Sequence, residues 1–398
     1  MILQHQPPLH LTYCLNIHPG ESWAENFAAI REKTLAVKEA IAPGQWFGLG
    51  LRLAHRAAAE LTASPALRAE ALDFFNSNQL YPFTVNAFPY GRFHAGPVKE
   101  NVYAPDWRTQ ERLEYTLQAA DILCGWLPDQ VDGSVSTVPC SFKPWITTQE
   151  DVEAIAIHLA ATVAYLAALR DDSGKDLHLG LEPEPDCYLE TTEETIAFFK
   201  DVLLVTGVRE IDRLLGCGLT AAETLMRRHI GICFDTCHVA IQFENRVDSL
   251  RAYRAAGIRI SKVQLSAALS ANSLPKGAEA LRPFVEPVYL HQVKGRGPEG
   301  ARYAWYDLPD ALAEIPNYPD LEDVNVHFHV PLFFNMGGVL RSTGDALKPD
   351  FFAELRRGAT SHIEIETYTF DVIPPDLHPG DVVKSIAQEY EWVLDQLR

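Results

Sequence analysis

Short apolar runs, each followed by a longer stretch with helical spacing, recur from one end of the chain to the other. LTYCLNIH (from Leu11) is rich in strand formers and is broken by Pro19 and Gly20. Ser22 with Glu25 then spells the S-x-x-E capping box of a helix running to about residue 41. WFGLGLRL (from Trp46), YPFTVNAF (from Tyr81), GSVSTVPC (from Gly133), DLHLGLEPEP (from Asp176), IGICFDTCH (from Ile230), ISKVQLSA (from Ile260) and HIEIETYTF (from His362) read as further strands. Helical patterns stand between them: Arg108 to about Trp126, a helix capped by Thr147 and Glu150, another capped by Thr191 and Glu194, one near 246–256, and one from about Asp381 to the end.

Near-continuous apolar strands alternating with helices indicate a parallel sheet covered on its outer face. Eight such units predict an α/β fold of the (β/α)₈ TIM-barrel kind rather than an open doubly wound sheet. A chain of 398 residues could hold two or three domains, but barrels reach this size as one, and a single domain over 1–398 is expected. Two insertions interrupt the rhythm. Residues 89–107 form a long loop dense in aromatic, Gly and Pro residues, after the third strand. Residues 267–335, after the seventh, hold a short helix, the segment VYLHQVKGRG and an extra strand, VNVHFHVPLF (from Val324). Both leave the carboxyl ends of barrel strands, the face that carries active sites, so both are expected to act as lids.

Composition narrows the ligand. Formal charge is −19, with 53 acidic against 34 basic residues, which disfavours a nucleic-acid backbone and suits a small ligand or one made cationic by a bound metal. Seven cysteines at irregular spacing give no disulfide framework, and Cys187, Cys233 and Cys237 read as packing. With no apolar run of about 18 residues and no basic-then-apolar leader, a cytoplasmic protein without direct membrane insertion is expected. No G-x-G-x-x-G or P-loop follows any strand, so a dinucleotide reading lacks its phosphate cradle.

The strand ends carry residues that a packed core would not choose. Glu182 ends the fifth strand, Asp235 and His238 end the sixth as D-x-x-H, Gln264 ends the seventh, and Glu364 and Glu366 share one face of the eighth. A single acid at such a place is ordinarily a helix cap or a salt-bridge partner. Three carboxylates from three strands (Glu182, Asp235, Glu366) at an apolar mouth need a cation, because unpaired burial costs several kcal/mol or forces protonation. Together they describe a site for one divalent ion, Mn²⁺, Mg²⁺ or Zn²⁺. Glu364, one step deeper, is expected against a basic partner, and Glu184 suits the rim as well as a ligand role. His238 could be a hydrogen-bonded core histidine or part of the site. Of His327 and His329 on the extra strand, one should face the site and the other pack, and His329 is favoured because it lies nearer the carboxyl end.

This order of residues resembles the xylose isomerase-like barrel superfamily, which includes sugar isomerases, epimerases and endonuclease IV-type repair enzymes. The stretches TYCLNIHPGESW, NAFPYGRFHAGPVKENVYAPDW, STVPCSF, LEPEPDCYLE, CFDTCHVA, YLHQVKGRG, VHFHVPLF and ETYTFDVIP most closely resemble the EboE-type metabolite traffic family, over residues 12 to 374. The resemblance implies metal ligands at Glu182, Asp235 and Glu366. It sets the superfamily's usual fourth ligand, a histidine ending strand 7, on Gln264, with His329 as a possible replacement.

Three functions from different classes fit these residues. The first is a metal-dependent isomerase or epimerase acting on a small sugar-like metabolite. In it Glu182 and Glu366 move a proton, His238 binds a substrate hydroxyl, and Asn86, His94, Lys99, His291 and His327 contact substrate. The second is a non-catalytic metabolite-binding or trafficking protein on the same barrel, working with other proteins of its operon. The third, metal-assisted phosphodiester hydrolysis, needs more histidines than can be placed and fits poorly with the net charge.

Overall fold

The computed structural model describes residues 1–3, 7–94, 96–272, 274, 276–334 and 337–398. Eight parallel strands form its centre: β1 Leu9–Tyr13, β2 Phe47–Arg52, β3 Leu80–Asn86, β4 Gly133–Thr137, β5 Leu177–Leu181, β6 Ile230–Asp235, β7 Arg259–Leu265 and, beyond the long insertion, β13 His362–Ile365. They hydrogen-bond in the order β1-β13-β7-β6-β5-β4-β3-β2. A parallel bridge between Cys14 and Gly50 joins the two ends of that row and closes the barrel. Gly50 is required there, since a Cβ would overlap the Tyr13 carbonyl and Glu364 Oε1. Apart from Arg259, every residue of these strands is buried, which explains why apolar residues stand on both faces of most of them.

The helices largely follow their caps. Ser22–Glu25 and Thr191–Glu194 form complete capping boxes. The box before the longest helix is one residue later than expected: Thr148 and Asp151 cap Gln149–Ser173, where Thr147 and Glu150 were anticipated. Asp151 wins because its carboxylate takes the backbone N–H groups of both Thr147 and Thr148. This helix is long and apolar enough by composition alone to cross a membrane, although His158 interrupts its apolar run short of 18 residues. Half of its apolar window is buried, in the outer ring against the helix Gln110–Trp126 and the helix Val208–Leu215.

The insertion after β7 builds a second, antiparallel sheet. Its strands are β8 Ala268–Asn272, β9 Val293–Arg296, β10 Arg302–Trp305, β11 Asp323–His329 and β12 Leu340–Ser342, in the order β10-β9-β11-β8-β12. Only β11 had a strand-like pattern in the sequence. This sheet leaves the carboxyl end of β7 and lays His327 and His329 over the barrel mouth.

Candidate metal centre

The site is built from the ends of β5, β6 and β13. After β5 the chain reads Glu182-Pro183-Glu184-Pro185. Each proline holds the residue before it in an extended conformation, and period-two alternation then turns both glutamates the same way. Asp235 is the N-cap of the short helix Thr236–Ile241. Its Oδ1 accepts from Cys237 N at 2.7 Å, from His238 N at 3.1 Å and from Ser266 Oγ at 2.6 Å. The cap uses only this oxygen. Glu366, just beyond β13, accepts from Asn16 Nδ2 at 2.7 Å.

Glu182, Asp235 and Glu366 each bring a carboxylate oxygen within 4.8 Å of the others, and all three residues are buried. Glu182 Oε2, Asp235 Oδ2 and His329 Nε2 are buried and find no hydrogen-bond partner among the described residues. Glu182 stands with Asp235 and Glu366 in one group of potential ligands and His329 with Asp235 and His238 in an adjoining one, and such orphaned acceptors are what a cation would satisfy. The electrostatics agree. Burial, with Asp235 next, pushes the Glu182 carboxyl well above its usual range, and burial with Glu182 and Asp235 does the same to Glu366. Burial acts on Asp235 too, but His238, His329 and the Ser266 hydroxyl bring it down to about 2. Without a cation the cluster must hold protons. A divalent ion would replace them.

The Gln264 expectation needs correction. Its Nε2 donates to Glu364 Oε2 at 3.3 Å and its Oε1 accepts from Cys233 Sγ at 2.9 Å, one layer below the triad. In that layer Lys262 Nζ meets Glu364 Oε2 at 2.5 Å, with both side chains fully buried. At the level of the triad, strand β7 supplies Ser266 instead, two residues on and on the same face. His329 stands with Asp235 and His238 in a second group of converging donors, its Nδ1 3.2 Å from the Glu366 carbonyl. His327 does not pack away: its ring lies 4.8 Å from that of His238 and 5.4 Å from that of His329. Both histidines of β11 face the site.

Above the triad opens a pocket lined among others by Asn16, Asn86, Phe93, Lys99, Tyr103, Glu184, His238, Tyr289, His327 and Tyr368. The two insertions close it together. Val98 N donates to Val288 O at 2.7 Å, and Lys99 Nζ is held by Asp307 at 2.6 Å and by the Tyr289 carbonyl at 2.7 Å. The remaining substrate candidates separate by geometry. Asn86 and His327 line the pocket, and Lys99 lines it with its charge already paired. His94 and His291 are not among the lining residues. His94 bridges the Asn16 carbonyl and the Tyr289 hydroxyl, at 2.7 Å each, and His291 bridges the His327 carbonyl and Glu286, also at 2.7 Å each, so both hold the lids rather than a ligand. Tyr103, expected with Phe93 to face the mouth from the first lid, lines the pocket, whereas Asn16, Tyr289 and Tyr368 escaped sequence reasoning because none carries a periodic signal. Glu184 could have been placed from the E-P-E-P alternation.

No family model matches the chain, and no curated protein matches it. A xylose isomerase-like TIM barrel protein from Mycobacterium smegmatis, solved in complex with magnesium, superposes with a TM-score of 0.52 at 12% identity, over 98% of this chain and 96% of that one. The IOLI protein with a bound zinc atom matches with a TM-score of 0.49 at 12% identity, over 98% of each chain. The probable 3-DHS dehydratase AsbF of Bacillus anthracis matches with 0.49 at 12%, over 97% and 99%. The chain shares the TIM-barrel fold of the magnesium-bound Mycobacterium smegmatis protein. At this identity the likeness extends to the fold and no further, and the chemistry has to come from the site.

Proposed function

We propose that the protein is a divalent-metal-dependent isomerase or epimerase of a small, unphosphorylated, polyhydroxylated metabolite. The observation that carries this reading is the set of buried, orphaned acceptors of Glu182, Asp235 and His329, of which Glu182, together with Glu366, lines the pocket. A bound Mn²⁺, Mg²⁺ or Zn²⁺ would hold and polarise adjacent substrate oxygens. Glu182 and Glu366 flank the ligand and pass a proton to and from its carbon. Asn16 fixes the Glu366 carboxylate, and His238, with Nδ1 4.0 Å from Glu182, stands behind the other partner. Phe93, Tyr289 and Tyr368 offer rings to the apolar face of a sugar. Lys99 is the only Lys or Arg among the lining residues, and Asp307 already neutralises it. A phosphate would therefore find no unpaired Lys or Arg among the lining residues, which favours an unphosphorylated ligand.

The EboE-type resemblance suggests a place in secondary-metabolite precursor traffic, in the cytoplasm and beside other proteins of one operon. The test is solvent exchange. The purified protein, with Mn²⁺ added, is incubated in D₂O with a panel of unphosphorylated ketoses and hydroxyketones. Deuterium enters a bound ligand with the wild type and not with Glu366→Gln, at unchanged ligand affinity. A ligand that binds and never exchanges, with any of the three cations, refutes turnover and leaves a carrier on the same barrel.

A further inference from the structure

Above the triad two histidines meet in a way that hydrogen bonding alone leaves incomplete. His238 Nδ1 is 3.0 Å from the Pro183 carbonyl, an oxygen that can only accept, so the ring proton sits on Nδ1 and Nε2 is a bare lone pair. His327 Nδ1 is 2.8 Å from Gln292 Oε1. The orientation of that amide is set independently: its nitrogen donates to the Pro185 carbonyl at 3.1 Å and to the Tyr103 hydroxyl at 2.9 Å. His327 therefore also carries its proton on Nδ1. The two Nε2 atoms face each other at 3.1 Å, lone pair to lone pair.

A third donor completes the set. Glu184 has a carboxylate oxygen within 4.8 Å of a ligand nitrogen of both rings, and Tyr103 donates to its Oε1 at 2.8 Å. All three side chains are buried, and all three line the pocket.

We propose that Glu184, His238 and His327 form a second cation site, separate from the Glu182–Asp235–Glu366 triad, for a borderline transition-metal dication of the Zn²⁺ type. Two imidazole nitrogens on one tetrahedral ion at bond lengths of about 2.0–2.1 Å stand about 3.3 Å apart, close to the spacing present here. Each ring donates its other N–H to an acceptor that fixes tautomer and orientation, the arrangement metal-bound histidines need. The donors also differ from those below: two imidazoles and one carboxylate favour Zn²⁺, Co²⁺ or Ni²⁺, whereas the triad offers oxygens that suit Mn²⁺ or Mg²⁺. The pocket face of the site is open to a water or a ligand oxygen. A substrate hydroxylated on neighbouring carbons could then be held from two sides. The inference rests on the donor geometry and not on the isomerase reading.

The test uses metal alone. Wild type, His327→Gln, Glu184→Gln and Asp235→Asn are dialysed against Zn²⁺ and their metal content is measured. Zinc K-edge absorption then counts imidazole ligands. The expected result is two equivalents in wild type and one in each variant, with two imidazoles on the ion that remains in Asp235→Asn. Mn²⁺ uptake retained by His327→Gln shows that this variant is folded with its triad intact. Wild type that takes up a single equivalent, unchanged in both His327→Gln and Glu184→Gln, overturns the proposal. So does nitrogen NMR showing a proton shared between the two Nε2 atoms at saturating Zn²⁺. If the triad alone fails to bind, Asp235→Asn matches wild type while His327→Gln loses its only ion, so the two failures are distinguishable.

Discussion

Lys262 is the cation on which the acidic interior of the barrel depends, and replacing it tests that dependence. Its ammonium meets Glu364 at 2.5 Å with both side chains at 0% exposure, and its charge also acts on Glu182 in the layer above. Lys262→Met keeps the volume of the stem but leaves Glu364 buried, with only the Gln264 amide as donor among the described residues. Breaking a buried pair from one side costs about 3–5 kcal/mol, because the remaining charge stays desolvated. Spread over the unfolding entropy of a chain this long, that is a fall of about 5 °C in Tm. The double variant Lys262→Met/Glu364→Gln removes both charges, and its stability should return to within about 1–2 kcal/mol of wild type. Urea denaturation of wild type, both single variants and the double variant gives the coupling energy directly. Losing a positive charge beneath the triad does not weaken its hold on a dication, so Mn²⁺ content should be retained in the folded variants. A single variant as stable as wild type, or a double variant as unstable as the lysine variant, refutes this account.

Two further outcomes separate fold from function. Asp235→Asn keeps a side-chain oxygen to cap Thr236–Ile241 but removes the anionic ligand, so unfolding should stay within about 1 kcal/mol of wild type while Mn²⁺ content, read by elemental analysis after dialysis, falls to background. Glu389, fully buried on the helix Val382–Leu397, is pushed up to about 7 by burial, against hydrogen bonds from Thr367 and Leu332 N. Its folded value lies above its unfolded one, so its contribution is complete below about pH 4.5 and is lost as pH rises to about 7. Glu389→Gln should therefore gain about 3 kcal/mol on wild type between pH 4.5 and 8, measured by urea midpoints, and a pH-independent difference would contradict this.

The barrel was legible because short strands rich in apolar and β-branched residues alternate with capped helices from end to end, even where polar side chains such as Lys262 and Glu364 interrupt the strands. The insertion was not. Strands β8, β9, β10 and β12 are three to five residues long and include Asn272, Lys294, Arg302 and Arg341, and they are held by pairing with β11 and with each other. No local pattern announces a strand whose partners lie tens of residues away. The triad was readable for the opposite reason, since an acid that ends an apolar run stands out from its neighbours. Depth was not. Gln264 is level with Asp235 and Glu364 in the backbone ladder, but its amide turns down to Cys233 and Glu364, and it is the Ser266 hydroxyl that reaches Asp235. A one-step error along a period-two strand moves a side chain to the other face, and a two-step error leaves it on the right face in the wrong layer.

That layering is what lets a strongly acidic cluster exist inside a stable barrel. Glu364 spends its charge on Lys262, below. Glu182, Asp235 and Glu366 share the next level, where one oxygen of Asp235 is committed to a helix cap and one of Glu366 to Asn16. Glu182 Oε2 and Asp235 Oδ2 remain unsatisfied among the described residues. Above that level, the Glu182-Pro183-Glu184-Pro185 segment repeats the device with backbone carbonyls: Pro183 and Pro185 orient His238 and, through Gln292, His327. The groups that fix the fold thus take one face of each donor and leave the other free. A site assembled in this way can gain or lose a cation while its protein scaffold stays in place, which is why capping and metal binding should separate in Asp235→Asn.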